Sequence, residues 1–401
     1  MRIGIIREGK ITADKRVPFT PEQCKLIKAR YPQLDLVVQK SRVRAFTDQE
    51  YESAGVELVD DLENVDVVFG IKEVNIEDLL ADKTYFFFSH TIKKQPYNRK
   101  LLQTVLQRNI KLIDYECLTD RSGVRIIGFG RYAGIVGCYN GFLAYGKKSG
   151  RFDLKAAHLC ENREEMESYL PYINLPQGFK VILTGRGRVS HGAIEVLGKI
   201  DISYVSPEDF LAKTFKKAVY TQLNLEDYFR KFDGSDFEAS DVYQNPEDFK
   251  SNFMPYAKVA DMLITGHYWD ARGPKFLTDD EVKSKEFKLR TIADISCDIL
   301  GPFPTTVRAS TIEDPIYHIN RKTLKEEASN EDNVTVMAVD NLPCELPKDA
   351  SNDFGEELLE KVLPNLLRSD NDAIIERAAL TQSGRLMPAF KYLQDYVDGK
   401  E

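Results

Sequence analysis

The 401-residue sequence has no basic block: 55 Lys and Arg are outnumbered by 63 Asp and Glu, for a net charge of −8. That balance argues against nucleic acid as a partner. Nor is there a C-x-x-C; Cys24, Cys117, Cys138, Cys160, Cys297 and Cys344 are scattered. Such usage fits free thiols in a reducing compartment better than a disulfide framework or a zinc site. Long apolar runs are missing too. The opening MRIGIIREGK is too polar for a signal peptide and no later segment approaches a membrane span, so a cytoplasmic protein without membrane contact is expected. There is no G-x-S-x-G, no G-x-x-x-x-G-K-[ST] and no His, Cys or carboxylate set at metal spacing. Acyl transfer, ATP hydrolysis and metal catalysis recede accordingly, and no metal is expected.

What is present is an alternation. Short apolar runs at 3–6, 34–38, 66–71, 85–89 and 111–113 are separated by helical stretches such as 95–107, and Thr20-Pro21 with Gln23 reads as a capped helix start. Further strands are expected near 181–184, 202–205, 262–264, 289–295 and 334–340, and helices over 353–367 and 369–380. Alternation at this pitch predicts an α/β fold with parallel sheets. The stretch 126–147, rich in small and aromatic residues, reads as a long helix buried in protein, since it contains Arg131. Residues 212–253 show no clean period. The length suits two to three domains.

The most informative stretch is VILTGRGRVSHGAIEVL, 181–197. An apolar run enters a glycine cluster, Gly185, Gly187 and Gly192, and a helical pattern comes after it. This is a stretched variant of the dinucleotide fingerprint, in which glycines let the backbone approach a pyrophosphate and the helix start meets its charge. An ordinary tight strand-to-helix turn fits the same residues.

Ionisable groups fall at strand ends. Lys72 and Glu73 follow DVVFGI, and His90 follows YFFFS. Groups ending adjacent parallel strands suit a proton-transfer pair, and a desolvated lysine becomes a usable base. A surface ion pair and a structural histidine are the plain alternatives. Arg16, Lys93 and Arg125 suit a substrate with several carboxylates, or are solvated surface charges.

Eight motifs in order carry a family resemblance: KRVPFTP (15–21), FFSHTIKKQ (87–95), LIDYE (112–116), GVRIIGFGRYAG (123–134), TGRGRVSHGA (184–193), ADISCD (293–298), STIEDP (310–315) and DNLPCELPKDAS (340–351). The chain resembles the lysine-forming saccharopine dehydrogenases. It resembles more closely the lysine–ketoglutarate reductase domain of bifunctional aminoadipic semialdehyde synthases, and more distantly alanine dehydrogenases and transhydrogenases. The resemblance implies the reversible reaction of saccharopine, NAD(P)⁺ and water to lysine, 2-oxoglutarate and NAD(P)H. It implies Lys72 and His90 as proton carriers, with Glu73 moderating the lysine's charge. Arg16, Gln95, Arg125 and Phe129 match substrate-contacting positions, Lys93 and Glu116 being their neighbours, and Gly187, Arg188 and Asp294 match positions on the dinucleotide. It further implies two Rossmann-like domains flanking an inter-domain cleft: 1–132 with 312–401 for substrate, and 133–311 for the dinucleotide.

Two departures stand out. Val189 replaces the cysteine that fungal members carry in the glycine loop, which excludes a disulfide from it. Where NAD enzymes place an acid for the ribose diol, the sequence reads Tyr-Val-Ser206-Pro-Glu208. Ser206 tolerates a 2′-phosphate, Glu208 suits a diol, and Arg186 and Arg188 add positive charge, so NAD is the expected cofactor with NADP open. A related opine or amino-acid dehydrogenase and a non-catalytic nucleotide-binding homologue are the alternatives. Retention of Lys72, His90, Arg16 and Arg125 together argues against the second.

Overall fold

The computed structural model describes residues 1–9 and 14–400. Two compact units are present, Met1–Phe129 with Pro347–Glu401, and Gly130–Leu346.

The first unit is built on six parallel strands, β1 (Arg2–Ile5), β2 (Asp35–Gln39), β3 (Glu57–Val59), β4 (Val67–Phe69), β5 (Thr84–Phe87) and β6 (Lys111–Asp114). Their order, β3-β2-β1-β4-β5-β6, reverses at β1. The strands read as continuous apolar runs because both faces are covered. Val67 and Phe69 face one cluster with Ile3, Phe86, Phe354 and Leu358. Val68, between them, faces the other with Tyr85, Phe87 and Leu101, Leu102 and Val105 of helix α2 (Arg99–Gln107), a helix expected from 95 that opens as a separate short turn at Pro96–Asn98. Helix α1 (Pro21–Arg30) starts as its sequence implies: the Thr20 hydroxyl accepts the Gln23 N–H at 3.3 Å and the Gln23 side chain accepts the Thr20 N–H at 2.9 Å.

The returning C-terminal segment departs from the expected helices in two places. The helix expected over 353–367 begins at Pro347 and widens to a π turn over Leu358–Val362. Pro364 just beyond lacks an N–H to close the regular ladder. The helix expected over 369–380 is reduced to Ile374–Ala378. There the Asp370 carboxylate takes the N–H groups of Ile374, Ile375 and Glu376, a side-chain alternative to the helical ladder.

The second unit has helices α3 (Gly130–Ser149), α4 (Arg188–Leu197) and α5 (Pro207–Ala212), and strands β7 (Lys180–Thr184), β8 (Ser203–Tyr204), β9 (Val219–Leu223), β10 (Phe229–Lys231), β11 (Phe249–Ser251), β12 (Met262–Ile264), β13 (Thr291–Ala293), β14 (Ile316–Ile319) and β15 (Val334–Met337). β10 and β11 form a separate antiparallel pair, and the main sheet runs β14-β15-β13-β12-β7-β9-β8. All its pairings are parallel except β14 with β15. The domain boundary expected at 311 therefore falls at 346. β15 bonds into this sheet beside β13, Val336 opposite Ile292, and carries β14 with it. The first boundary falls at 129 in place of 132.

α3 and α4 cross at glycines. A Cβ on Gly134 would lie 1.8 Å from the Val189 carbonyl oxygen, and one on Gly192 would lie 1.9 Å from that of Arg131. Backbone meets backbone, which only hydrogen in place of a side chain permits. Arg131 pairs with Glu195 across the same contact, Nε to Oε1 at 2.6 Å. Among the described residues no helix is long and apolar enough to cross a membrane.

Replacing Gly192 by Ala forces these helices apart and lowers unfolding stability by about 1–3 kcal/mol, the range of an overpacked core. Gly198→Ala, where the nearest atom to a new Cβ is 3.3 Å away, changes it little. Urea unfolding of the two variants checks the difference.

Candidate functional site

β4 and β5 run side by side with Phe69 opposite Phe86, so the residues following them emerge together. Past β4 come half-buried Lys72 and buried Glu73; past β5 come Phe88, Ser89 and His90. Glu73 Oε1 lies 2.8 Å from His90 Nδ1. A carboxylate accepts, so the ring nitrogen facing it carries the hydrogen, which leaves the Nε2 lone pair for other chemistry. His90 adopts a left-handed backbone, φ 52°, a conformation that a non-glycine residue keeps only where its surroundings hold it. The holder is Asp114 at the end of β6. Its buried carboxylate accepts the Ser89 N–H at 3.1 Å, the Ser89 hydroxyl, and the Glu116 N–H at 2.8 Å. Burial pushes the Asp114 carboxyl up to about 6 against those hydrogen bonds.

Buried charges surround Lys72. Arg16 is 3% exposed and pairs bidentately with Asp14, at 3.0 and 2.5 Å, while its guanidinium lies 4.1 Å over the Phe129 ring. Phe129 in turn stacks on Phe354 at 4.4 Å. Burial works against the Asp14 charge, but the Arg16 guanidinium and Lys72 hold its carboxyl below the usual value. Glu8, past the end of β1, accepts the amides of Ile71 and Lys72 at 2.7 and 3.0 Å. Burial, with the charge of Asp14 adding, pushes it up to about 8. Glu116 gathers two cations, Lys93 at 3.1 Å and Arg125 at 3.7 Å; both are exposed, so these pairs add little stability. Half-buried Gln95 accepts the Tyr97 hydroxyl and its carbonyl accepts that of Tyr396 at 2.5 Å.

Sequence reasoning missed Glu8, Asp14, Ser89 and Asp114. Glu8, Ser89 and Asp114 each lie within a few residues of a strand's carboxyl end, the place where ligands bind in open α/β sheets, and that position was the available signal; Asp14, nine residues past β1, carried no such signal.

In the second unit β7 runs into the glycine loop. Gly185 has φ +87°, and a Cβ there would lie 2.5 Å from the Gly266 carbonyl oxygen. Among the described residues, a Cβ at Gly187 would meet nothing within 4 Å and no side chain caps α4, which begins with half-buried Arg188. Open space before the uncapped amides of a ten-residue helix fits a dinucleotide pyrophosphate. Three expected cofactor residues sit elsewhere. Gly192 faces α3, and buried Ser190, its hydroxyl donating to the Thr184 carbonyl at 3.0 Å, lies where helix and strand are close. The Asp294 carboxylate is fully buried and turned inward, accepting the hydroxyls of Thr265, Ser296 and Thr306 at 3.0, 2.7 and 2.5 Å; it braces the end of β13. Ser206 lies two residues past the outermost strand β8 and caps α5, accepting the Asp209 N–H at 3.2 Å. On the side of β7 away from β12 the neighbour is β9, within the stretch whose short run VYTQL gave no periodic signal. Its carboxyl end carries Asn224, Glu226 and Asp227. It is tied to the glycine loop by Gln222 donating to the Gly185 carbonyl at 2.8 Å and by Arg186 pairing with Glu226 at 3.1 Å.

Residues 4–136 match the family model for the alanine dehydrogenase/PNT N-terminal domain. Mitochondrial alpha-aminoadipic semialdehyde synthase of Mus musculus is 31% identical over all of this chain and 48% of its own length. The chain thus spans about half the length of the synthases it matches. Saccharopine dehydrogenase [NAD(+), L-lysine-forming] of Neurospora crassa is 24% identical over 87% of both chains. Among solved structures an L-alanine dehydrogenase superposes with a TM-score of 0.68 at 16% identity, covering 99% of this chain and 100% of its own, and shares the fold.

One histidine supports the glycine loop from behind. The Thr184 hydroxyl accepts the Gly266 N–H at 3.2 Å and shares a hydrogen bond of 2.6 Å with His267 Nδ1. Burial holds His267 down to about 3. It stays neutral in the fold while the unfolded chain protonates near its ordinary value of 6.5, so its stabilisation is present above that pH and is lost as pH falls toward 3. The loss reaches at most ~5 kcal/mol. A His267→Gln variant, measured by denaturant unfolding from pH 7 to 4, shows a shallower acid slope than the wild type.

Proposed function

Starting from a chain related to alpha-aminoadipic semialdehyde synthases and lysine-forming saccharopine dehydrogenases, we propose that it is an NAD-dependent oxidoreductase acting on a CH–NH bond. Its substrate is saccharopine, interconverted with lysine and 2-oxoglutarate. The observation that supports this most is the 2.8 Å contact of Glu73 with His90 on the turn that also carries Lys72. Bound NAD supplies the hydride acceptor, or in reverse the donor, at the carbon bearing the nitrogen.

The chain's own groups carry the protons. Lys72 takes the proton of the secondary amine as the C–N bond is oxidised, and Asp14 nearby balances the ammonium that forms. His90, with Nδ1 held by Glu73, uses Nε2 to accept a proton from the attacking water and returns one as the carbinolamine collapses. Lys93 and Arg125 around Glu116 offer cations to the carboxylates of a dicarboxylic substrate. Arg16 is already engaged by Asp14, so a substrate carboxylate shares it.

NAD over NADP is favoured by the end of β9. Burial raises the Asp227 carboxyl, and the charges of Glu226 and Glu208 raise it further against Arg186. Three carboxylates with one arginine repel a 2′-phosphate and suit a ribose diol.

Purified protein is expected to oxidise NADH in the presence of lysine plus 2-oxoglutarate; no turnover with either cofactor and a panel of amines and 2-oxo acids contradicts the reading. Lys72→Met and His90→Gln each lower turnover by roughly 10²–10⁴-fold, the share of a general acid–base group. Glu226→Ala frees Arg186 and shifts the NADPH-to-NADH preference by about 10-fold toward NADPH, ~1.4 kcal/mol, read by fluorescence titration of both cofactors.

A further inference from the structure

Glu8 has no part in the proton steps above, yet it is bound to the turn that performs them. It lies just past β1, the strand neighbouring β4. Its two oxygens serve consecutive amides, Oε1 that of Ile71 and Oε2 that of Lys72. A bridge of this kind needs two acceptors, which a carboxylate has and an amide side chain lacks. Gly70 keeps the approach close: a Cβ there would lie 2.9 Å from Ile6 and 3.5 Å from the Glu8 carboxylate. The charged and titratable groups acting on or sensing Glu8 are Asp14 and Arg16 from the segment after β1, Lys72 through its own amide, and Tyr115 past β6. The Tyr115 hydroxyl is buried without a hydrogen-bond partner among the described residues. A carboxyl displaced by burial beside a proton carrier is the setting in which functional groups concentrate.

We propose that Glu8 is a positioning residue: by holding the Ile71 and Lys72 amides it fixes the direction in which the Lys72 side chain leaves β4. The role rests on the reading of Lys72 as a proton carrier. Amide hydrogen exchange by NMR and steady-state kinetics on wild type, Glu8→Ala and the near-isosteric Glu8→Gln test it together. In Glu8→Ala the Ile71 and Lys72 amides exchange about 10-fold faster, the weight of one charge-assisted hydrogen bond, and kcat falls by about 10-fold or more. KM for NADH stays within about twofold, since no dinucleotide contact is lost. Glu8→Gln, which keeps one acceptor, falls between in both measurements. Unchanged exchange at these two amides, or faster exchange with unchanged kcat, overturns the proposal. A wild type without turnover removes the functional reading and the positioning role with it. Wild-type turnover that Glu8→Ala leaves intact removes the positioning role alone.

Discussion

The hydrogen bond between Glu73 and His90 depends on a register. β4 and β5 are parallel neighbours, so the residues beyond Phe69 and those beyond Phe87 leave the sheet at one edge. Glu73 and His90 are 17 residues apart in sequence and 2.8 Å apart in space. Slip the pairing by one residue and the tips turn to opposite faces of the sheet. Apart from Thr84 at the start of β5, both strands are apolar or aromatic and buried on two faces, so the hydrophobic clusters that hold the register also hold the acid–base groups. Asp114, one strand further on, extends the same logic by fixing Ser89 ahead of His90 and the Glu116 amide behind it.

The second unit solves a different problem with the same economy of contacts. Its glycine loop presents open space at Gly187, while α4 is pressed so close to α3 that Gly134 and Gly192 cannot carry a side chain. Behind the loop, Thr184, Ser190, Gly266 and His267 are hydrogen-bonded to one another, and no described side chain caps the helix start. Buried polar groups that are mutually bonded keep the loop rigid, and rigidity spares a ligand the cost of ordering it.

Much of this was legible in sequence. The apolar runs that became β1, β4, β5, β7 and β12 are long enough to stand out, and the ends of β4 and β5 pointed to Lys72, Glu73 and His90. Among the strands that gave no sequence signal, β9 and β14 matter most here, and each has a physical reason. β9 alternates buried and half-buried residues within a charged stretch, and β14 is an edge strand of the same kind. Missing β9 put Ser206 beside the glycine loop in place of Glu226, since only strand order tells which tip is the neighbour. Missing β14 and its pairing with β15 moved the domain boundary. Asp294 illustrates another limit: position at a strand's end does not tell whether a carboxylate looks outward or, as here, into three hydroxyls.

The arrangement of His90 is the point on which the proposed chemistry turns, and its tautomer can be read directly by nitrogen-15 NMR of the imidazole in wild type and Glu73→Gln. The structure calls for hydrogen on Nδ1, bonded to Glu73, and for a shift of that balance when Glu73 becomes Gln. A ring with hydrogen on Nε2 alone, or a balance that Glu73→Gln leaves untouched, contradicts it.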